Sequence, residues 1–198
     1  MPKAVRIAVL VSGGGSNLEA ILEAKKSGQL PGIEVVLVLS SKADAYALTR
    51  ARDHKIETAV VERKQFLSDE AFNAATLAAL IQSQADVLCL AGYLRKLGPG
   101  IIHRYRGRIL NIHPALLPKY GGPGMYGHFV HEAVLKAGEK ESGCSVHVVD
   151  EEFDHGPVLA QAKVPVLPGD DAEKLAARVL EQEHKLYPKS IREFCEKI

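Results

Sequence analysis

The hydrophobic positions of this chain fall into two alternating textures. Short, nearly continuous apolar runs, Val5 to Val11, Ile33 to Leu39, Thr58 to Val61, Asp86 to Leu90 and Arg108 to Ile112, have the length of strands buried on both faces. Between them lie longer stretches with the period of an amphipathic helix. One opens at Ser16-Asn17-Leu18-Glu19, carries Leu18, Ile21 and Leu22 on one side, and closes near Gly28, with Ser16 or Asn17 able to cap it. Ala43 to His54 and Ser68 to Gln82 repeat the pattern, and the Ser68 hydroxyl can cap although Ala71 replaces the usual capping-box Glu. Strand and helix in alternation predict βαβ units around a mainly parallel sheet, an α/β fold.

Beyond Ile112 the texture changes. Pro114, Pro118, Gly121, Gly122, Pro123, Gly124 and Gly127 predict a long loop, whose Gly121 to Gly127 part is expected to order when a ligand binds. After it the pattern gives a helix from about His128 to Ala137, a strand Ser145 to Val149, a loop Asp150 to Gly156, a strand Val158 to Val166, and a last helix from Asp170 or Asp171 onward. No repeat or linker divides the chain, so residues 1–198 are expected to form a single domain.

Composition narrows the function classes. With 46% hydrophobic and 25% charged residues, the chain has what a globular core needs. Its 25 Lys+Arg balance 24 Asp+Glu without a single-sign run, so neither a nucleic acid nor a membrane is an expected partner. Three widely spaced cysteines, Cys89, Cys144 and Cys195, predict neither a disulfide framework nor a Cys metal site, and fit a reducing cytoplasm. The Val5 to Val11 run is too short for a signal peptide, and no segment reaches the roughly 20 apolar residues of a membrane span.

Three segments can carry chemistry. Ser12-Gly13-Gly14-Gly15-Ser16-Asn17 joins a strand to a helix, where free N–H groups and the helix dipole favour a phosphate. It matches neither a Walker motif nor GxGxxG, and an ordinary tight turn is the other reading. In Asn111-Ile112-His113-Pro114, strand alternation sends Asn111 and His113 to one side, where an amide donor and an imidazole could stabilise an oxyanion and move a proton. A His satisfied by local hydrogen bonds beside a turn-forming Asn is the alternative. Asp150 to Pro157 is an acidic loop; such loops are commonly only solvated, yet a carboxylate held at Gly156-Pro157 could orient an imidazole and raise its pKa. Asp154 with His147 or His155 lacks any established metal-ligand spacing, so no metal site is expected.

Taken in order and spacing, Ser12 to Asn17, Ala91-Gly-Tyr-Leu-Arg95, Asn111-Ile-His-Pro-Ala-Leu-Leu-Pro-Lys119, Ser145-Val-His147, Asp154-His-Gly-Pro157 and Gln182-Glu-His184 resemble the glycinamide ribonucleotide transformylases over almost the whole chain. The NIHP and DxGP elements are shared with the wider folate-dependent formyltransferases, including methionyl-tRNA formyltransferase and formyltetrahydrofolate hydrolase. The SGGGSN turn narrows the resemblance. It implies a Rossmann-like sheet with helices on both faces and transfer of a formyl group from 10-formyltetrahydrofolate to the amine of glycinamide ribonucleotide, as a monomer or a homodimer. It implies Asn111, His113 and Asp154 as the catalytic set, Gly15, Ser16 and Asn17 at the substrate phosphate, and Glu183 at the glycinamide end. The folate would lie among Leu94, Arg95, Lys96 and Leu97, beside Asn111, and along Val149, Asp150 and Asp154, mostly against backbone.

The chain departs from the family in two places. Asp69 stands where relatives carry an Arg near the folate tail, with Arg63 and Lys64 close in sequence. The loop after Lys119 is longer and richer in glycine, which leaves open whether His128 or His131 takes the place of the family's His. The implied chemistry pairs a neutral substrate amine with a protonated His113 that Asp154 holds charged. Formyltetrahydrofolate hydrolysis, formylation of another amine, and ligand binding without turnover are the competing functions.

Overall fold

Seven strands form one sheet in the order β3-β2-β1-β4-β5-β6-β7 in the computed structural model, which describes residues 4–198. The first five, β1 (Val5–Val11), β2 (Ile33–Ser40), β3 (Thr58–Val60), β4 (Val87–Leu90) and β5 (Ile109–His113), run parallel. β6 (Glu141–Val148) and β7 (Val158–Pro165) then add antiparallel, with Asn111 opposite His147 and His113 opposite Ser145. The mainly parallel, Rossmann-like expectation therefore holds, with an antiparallel pair finishing one side.

Alternation along β1 separates two apolar layers. Ile7, Val9 and Val11 face one, built with α1 (Ser16–Lys26), α2 (Ala47–Asp53), α5 (His128–Lys136) and α6 (Ala172–Cys195). Ala8 and Leu10 face the other, which holds α3 (Asp69–Gln82) and α4 (Pro99–Arg104). Both faces of the sheet are thus covered, which is why the parallel strands read as continuous apolar runs. Strand order reverses between β1 and β4, and the carboxyl ends of β1, β4 and β5 open onto one crevice, the place where open α/β sheets bind ligands.

Several boundaries differ from the sequence reading. The cap of α1 is Gly15, in left-handed backbone, rather than Ser16 or Asn17, which are already helical. α2 begins at Ala47, four residues later than its periodicity indicates, and β6 begins at Glu141 rather than Ser145. The short α4 lies between β4 and β5, where the sequence reading gave no bounds: Pro99 occupies the first helical position, where its missing N–H costs nothing, and Asn73 of α3 accepts from the Gly98 N–H at 2.8 Å. Ser68 caps α3 as expected, accepting from the Ala71 N–H, and of the two candidates Asp171 caps α6. No helix among the described residues is long and apolar enough to cross a membrane.

One contact fixes α6 to the ligand-facing end of the sheet. The fully buried Tyr187 hydroxyl lies 2.9 Å from the Leu90 carbonyl and 3.1 Å from that of Leu110, bridging β4 and β5. Tyr187→Phe keeps the ring and removes this bridge. It is expected to cost about 1 kcal/mol, lowering the melting temperature by roughly 2–4 °C. Denaturant unfolding should show a lower midpoint with an unchanged slope.

Candidate active site

Asn111 and His113 reach the crevice together because two residues along a strand restore the same face. Asp154 meets them from the β6–β7 loop. That loop is shaped by Gly156, where a Cβ would lie 1.9 Å from the Val148 carbonyl oxygen, so only glycine fits. Asp154 itself has φ 54°, a left-handed conformation that non-glycine residues adopt sparingly and that Asp tolerates better than most.

The Asp154 carboxylate is nearly enclosed and fully engaged. Its Oδ2 accepts from the Gly122 N–H at 3.0 Å and lies 3.5 Å from His113 Nδ1; its Oδ1 lies 3.4 Å from His147 Nε2 and 3.4 Å from the Asn111 amide nitrogen. His113 Nε2–H donates to the Tyr120 carbonyl at 2.8 Å, and His147 Nδ1–H donates to the Val148 carbonyl at 3.1 Å. These two bonds set the neutral tautomers: His147 then presents a bare Nε2 to the Asn111 amide 3.0 Å away and His113 a bare Nδ1 toward Asp154, whereas protonation of either ring turns that nitrogen into a donor facing the Asp154 carboxylate.

Electrostatics correct one expectation. Burial pushes the His113 pKa down, and this outweighs the opposing pull of the Asp154 charge and the Tyr120 carbonyl, while His147 lowers it further. The resting imidazole is therefore held below its ordinary value instead of being kept charged. Asp154 shows the opposite balance. Burial raises its pKa, but hydrogen bonding from His147, the His113 charge and the Gly122 N–H prevail and hold it below the usual carboxylate range.

A second buried group lies toward α6. Glu183, only 7% exposed, accepts from the Asn17 amide at 2.7 Å, and burial holds its carboxyl above the ordinary value despite that bond. Asn17 Oδ1 is buried without a partner among the described residues. Both residues line a cleft of about 600 Å³ that also takes in Ser16, Asn111, His113 and Asp154. Leu94, Arg95, Lys96, Leu97, Val149 and Asp150 line it as well. Leu97 faces the core, whereas Leu94 to Lys96 stand open. Ser12 shapes this wall from beneath: its oxygen accepts from the Leu94 N–H at 2.9 Å while it contacts the Ser41 hydroxyl at 2.7 Å.

Of the residues expected at the catalytic centre, the substrate and the folate, Gly15 is the one outside the cleft wall. A Cβ there would meet the Ala47 Cβ at 2.5 Å, and φ is 73°, so its glycine identity is required by packing against α2. Asp69 pairs with Arg63, which donates as well to the Phe66 carbonyl at 2.8 Å. Of the two histidines left open, both line the cleft, but His128 is exposed and His131 is buried, with no partner for its Nδ1 among the described residues. The central position of His147 was legible only as a motif letter; its contact with Asp154 depends on β5–β6 pairing. Away from the cleft, Glu19, Glu23 and His54 place potential metal-ligand atoms close together, with Glu19 paired to Arg50 at 2.7 Å.

An amide, two imidazoles and a carboxylate at the carboxyl ends of a doubly wound sheet define an α/β enzyme of the group-transfer kind. The chain belongs to the formyl transferase family, whose match extends over residues 5–191, and it is an enzyme that transfers formyl groups. It is similar to the phosphoribosylglycinamide formyltransferase of Escherichia coli (strain K12), 45% identical over 192 residues that make up 97% of this chain and 88% of that one. The trifunctional purine biosynthetic protein adenosine-3 of Drosophila melanogaster is 44% identical over 187 residues; these cover 94% of this chain but 14% of the insect protein. Among solved structures, phosphoribosylglycinamide formyltransferase from Brucella melitensis superimposes with a TM-score of 0.89 at 50% identity, over 98% of this chain and 96% of that one.

The buried Glu183 carries a stability cost with a definite pH signature. Between the ordinary carboxyl value of 4.5 and its raised folded value, the unfolded chain is ionised while the folded protein keeps the proton. Stability therefore falls as pH rises through that window. Glu183→Gln, which can still accept from Asn17, should remove the slope. Melting curves are expected to place the variant above the wild type at neutral pH and to converge with it at acid pH.

Proposed function

We propose that this chain transfers the formyl group of 10-formyltetrahydrofolate to the primary amine of glycinamide ribonucleotide, a step of purine biosynthesis. The observation that carries this reading is one continuous cleft: a buried carboxylate–amide pair at one end, the Asn111–His113–Asp154 cluster at the centre, and a largely apolar wall beyond it. The similarity to the bacterial phosphoribosylglycinamide formyltransferases supports it.

In this reading the phosphate sits at the first turn of α1, on the free N–H groups of the Gly15-Ser16-Asn17 segment. Glu183 meets the glycinamide end. The folate ring lies along Leu94 to Leu97 and Val149 to Asp154, with its N10 directed toward Asn111. Residues 1–198 act as a single formyltransferase domain.

The reaction moves one proton. The amine attacks the formyl carbon and the carbonyl pair shifts to oxygen; collapse of the adduct breaks the bond to N10, and the proton lost by the amine ends on N10. Asn111 donates to the oxyanion, giving up its 3.4 Å contact with Asp154, the longer of its two. His113, neutral at rest, takes the amine's proton and passes it on, and Asp154 stabilises the imidazolium in between. No step calls for a metal or a covalent enzyme intermediate.

Purified protein given both substrates should release tetrahydrofolate and formylated product, and formate with ATP should not replace the folate. Asp154→Asn tests the central assignment without disturbing the backbone, since Asn also tolerates the left-handed conformation. Its kcat is expected to fall by at least about a hundredfold with little change in affinity for glycinamide ribonucleotide. A near-normal kcat would remove Asp154 from the chemistry. Absence of turnover with the wild type would sink the functional reading itself.

A further inference from the structure

Two backbone groups only two residues apart hold the two members of the central His113–Asp154 pair. The Tyr120 carbonyl accepts from His113 Nε2–H at 2.8 Å, and the Gly122 N–H donates to Asp154 Oδ2 at 3.0 Å. Gly121, between them, packs so closely that a Cβ would meet the Leu117 side chain at 2.7 Å and Asp154 Cβ at 3.1 Å. Tyr120 has φ 57°, so a residue with a Cβ is kept in a conformation that persists only where its surroundings impose it.

What imposes it lies outside the cleft. The Tyr120 hydroxyl donates to Glu139 Oε1 at 3.0 Å, and Lys119 Nζ donates to the same oxygen at 2.8 Å. Glu139 follows the end of α5 and is tied back to that helix through its N–H on the Val134 carbonyl at 3.4 Å. Upstream, the loop is fixed as far as Leu117, whose N–H donates to Ser145 Oγ and whose carbonyl accepts from Gln161. The Tyr120 ring also packs against the larger apolar layer, so that layer and Glu139 together hold the residue from its outer side.

We propose that Tyr120 and Glu139 are positioning residues: their hydrogen bond on the outer side of the loop fixes the Tyr120–Gly122 backbone, and through it the tautomer of His113 and its distance from Asp154. The geometry stands by itself, while the consequence for turnover rests on the formyl-transfer reading above. With Nε2–H committed to Tyr120, Nδ1 is the nitrogen left to take a proton, and it faces Asp154. The titratable groups facing His113 are Asp154 from the β6–β7 loop, His147 from β6 and His131 from α5. Two of the three oppose a charge on His113. Withdrawal of the Tyr120 carbonyl therefore makes the imidazolium harder to form.

The test compares Tyr120→Phe, Glu139→Ala, Glu139→Gln and the Tyr120→Phe/Glu139→Ala double variant. Tyr120→Phe and Glu139→Ala should each lower kcat about tenfold, the worth of roughly one hydrogen bond, with the KM of both substrates little changed. The limb of the pH–kcat profile governed by His113 should move to lower pH. The double variant should be no worse than either single one, because both break the same contact. Glu139→Gln keeps the acceptor and should remain near wild type, since an exposed ion pair with Lys119 contributes little. Nitrogen-15 NMR of the histidine rings in the free protein gives a readout independent of activity. Wild type should show the Nε2–H tautomer at His113, and Tyr120→Phe a mixture with a lower pKa. An unchanged tautomer and pH profile in folded Tyr120→Phe would overturn the proposal, as would Glu139→Gln proving as impaired as Glu139→Ala. If the wild type fails to transfer formyl groups between the two proposed substrates, the functional reading falls while the NMR comparison still judges the strap.

Discussion

The Asp154 carboxylate is drawn into a place where a carboxylate cannot stay without partners, and the arrangement of the cleft follows from how those partners are supplied. Removing an ion from water costs several kcal/mol unless charge and hydrogen bonds replace the lost hydration. Here the surrounding groups come from three separate parts of the chain: Asn111 and His113 on β5, His147 on β6, and the Gly122 N–H in the long loop. All but His147 lie more than thirty residues before Asp154 in sequence. The parallel–antiparallel junction at β5–β6 brings Asn111 opposite His147, and the β6–β7 loop folds back over that pair. The carboxylate thus acts as the joint between the sheet and the two loops that cover its end.

The same burial that encloses Asp154 also sets the protonation states. Desolvation lowers the His113 pKa and raises that of Glu183, so the cleft holds a neutral imidazole at its centre and a reluctant carboxylate at its end. A neutral base beside an ionised acid suits a reaction in which one proton leaves an amine and is handed on, because the charge appears only while the proton is in transit. Glu183 and the unpartnered Asn17 oxygen carry a cost in the free protein that a polar ligand would relieve. Such groups are destabilising to the fold and useful to the site, a familiar conflict in enzymes.

Apolar patterning by itself determined the fold class. The runs at Val5, Ile33, Asp86 and Arg108 are strands because residues covered on both faces must all be apolar, and the helical periods between them leave few topologies besides right-handed βαβ units. Capping chemistry was legible at Ser68 and Asp171, where the signal is local. The resemblance carried by SGGGSN, NIHP and DxGP also marked the residues that the cleft brings together. Local signals gave no bounds for α4, whose start at Gly98-Pro99 is held by Asn73 from α3.

What only the tertiary structure decided were the quantities that depend on distance and burial. No sequence rule gives His147 as the second imidazole on Asp154, because that contact requires strand register. The His113 pKa could not be read from the presence of a neighbouring carboxylate, because desolvation opposes it and its size depends on everything packed around the ring. Gly15 belongs to the phosphate turn in sequence, but packing against Ala47 is what requires glycine there. The chain's order of apolar and polar residues specifies which elements form. The chemistry at their ends is fixed by which distant groups share the space from which water has been excluded.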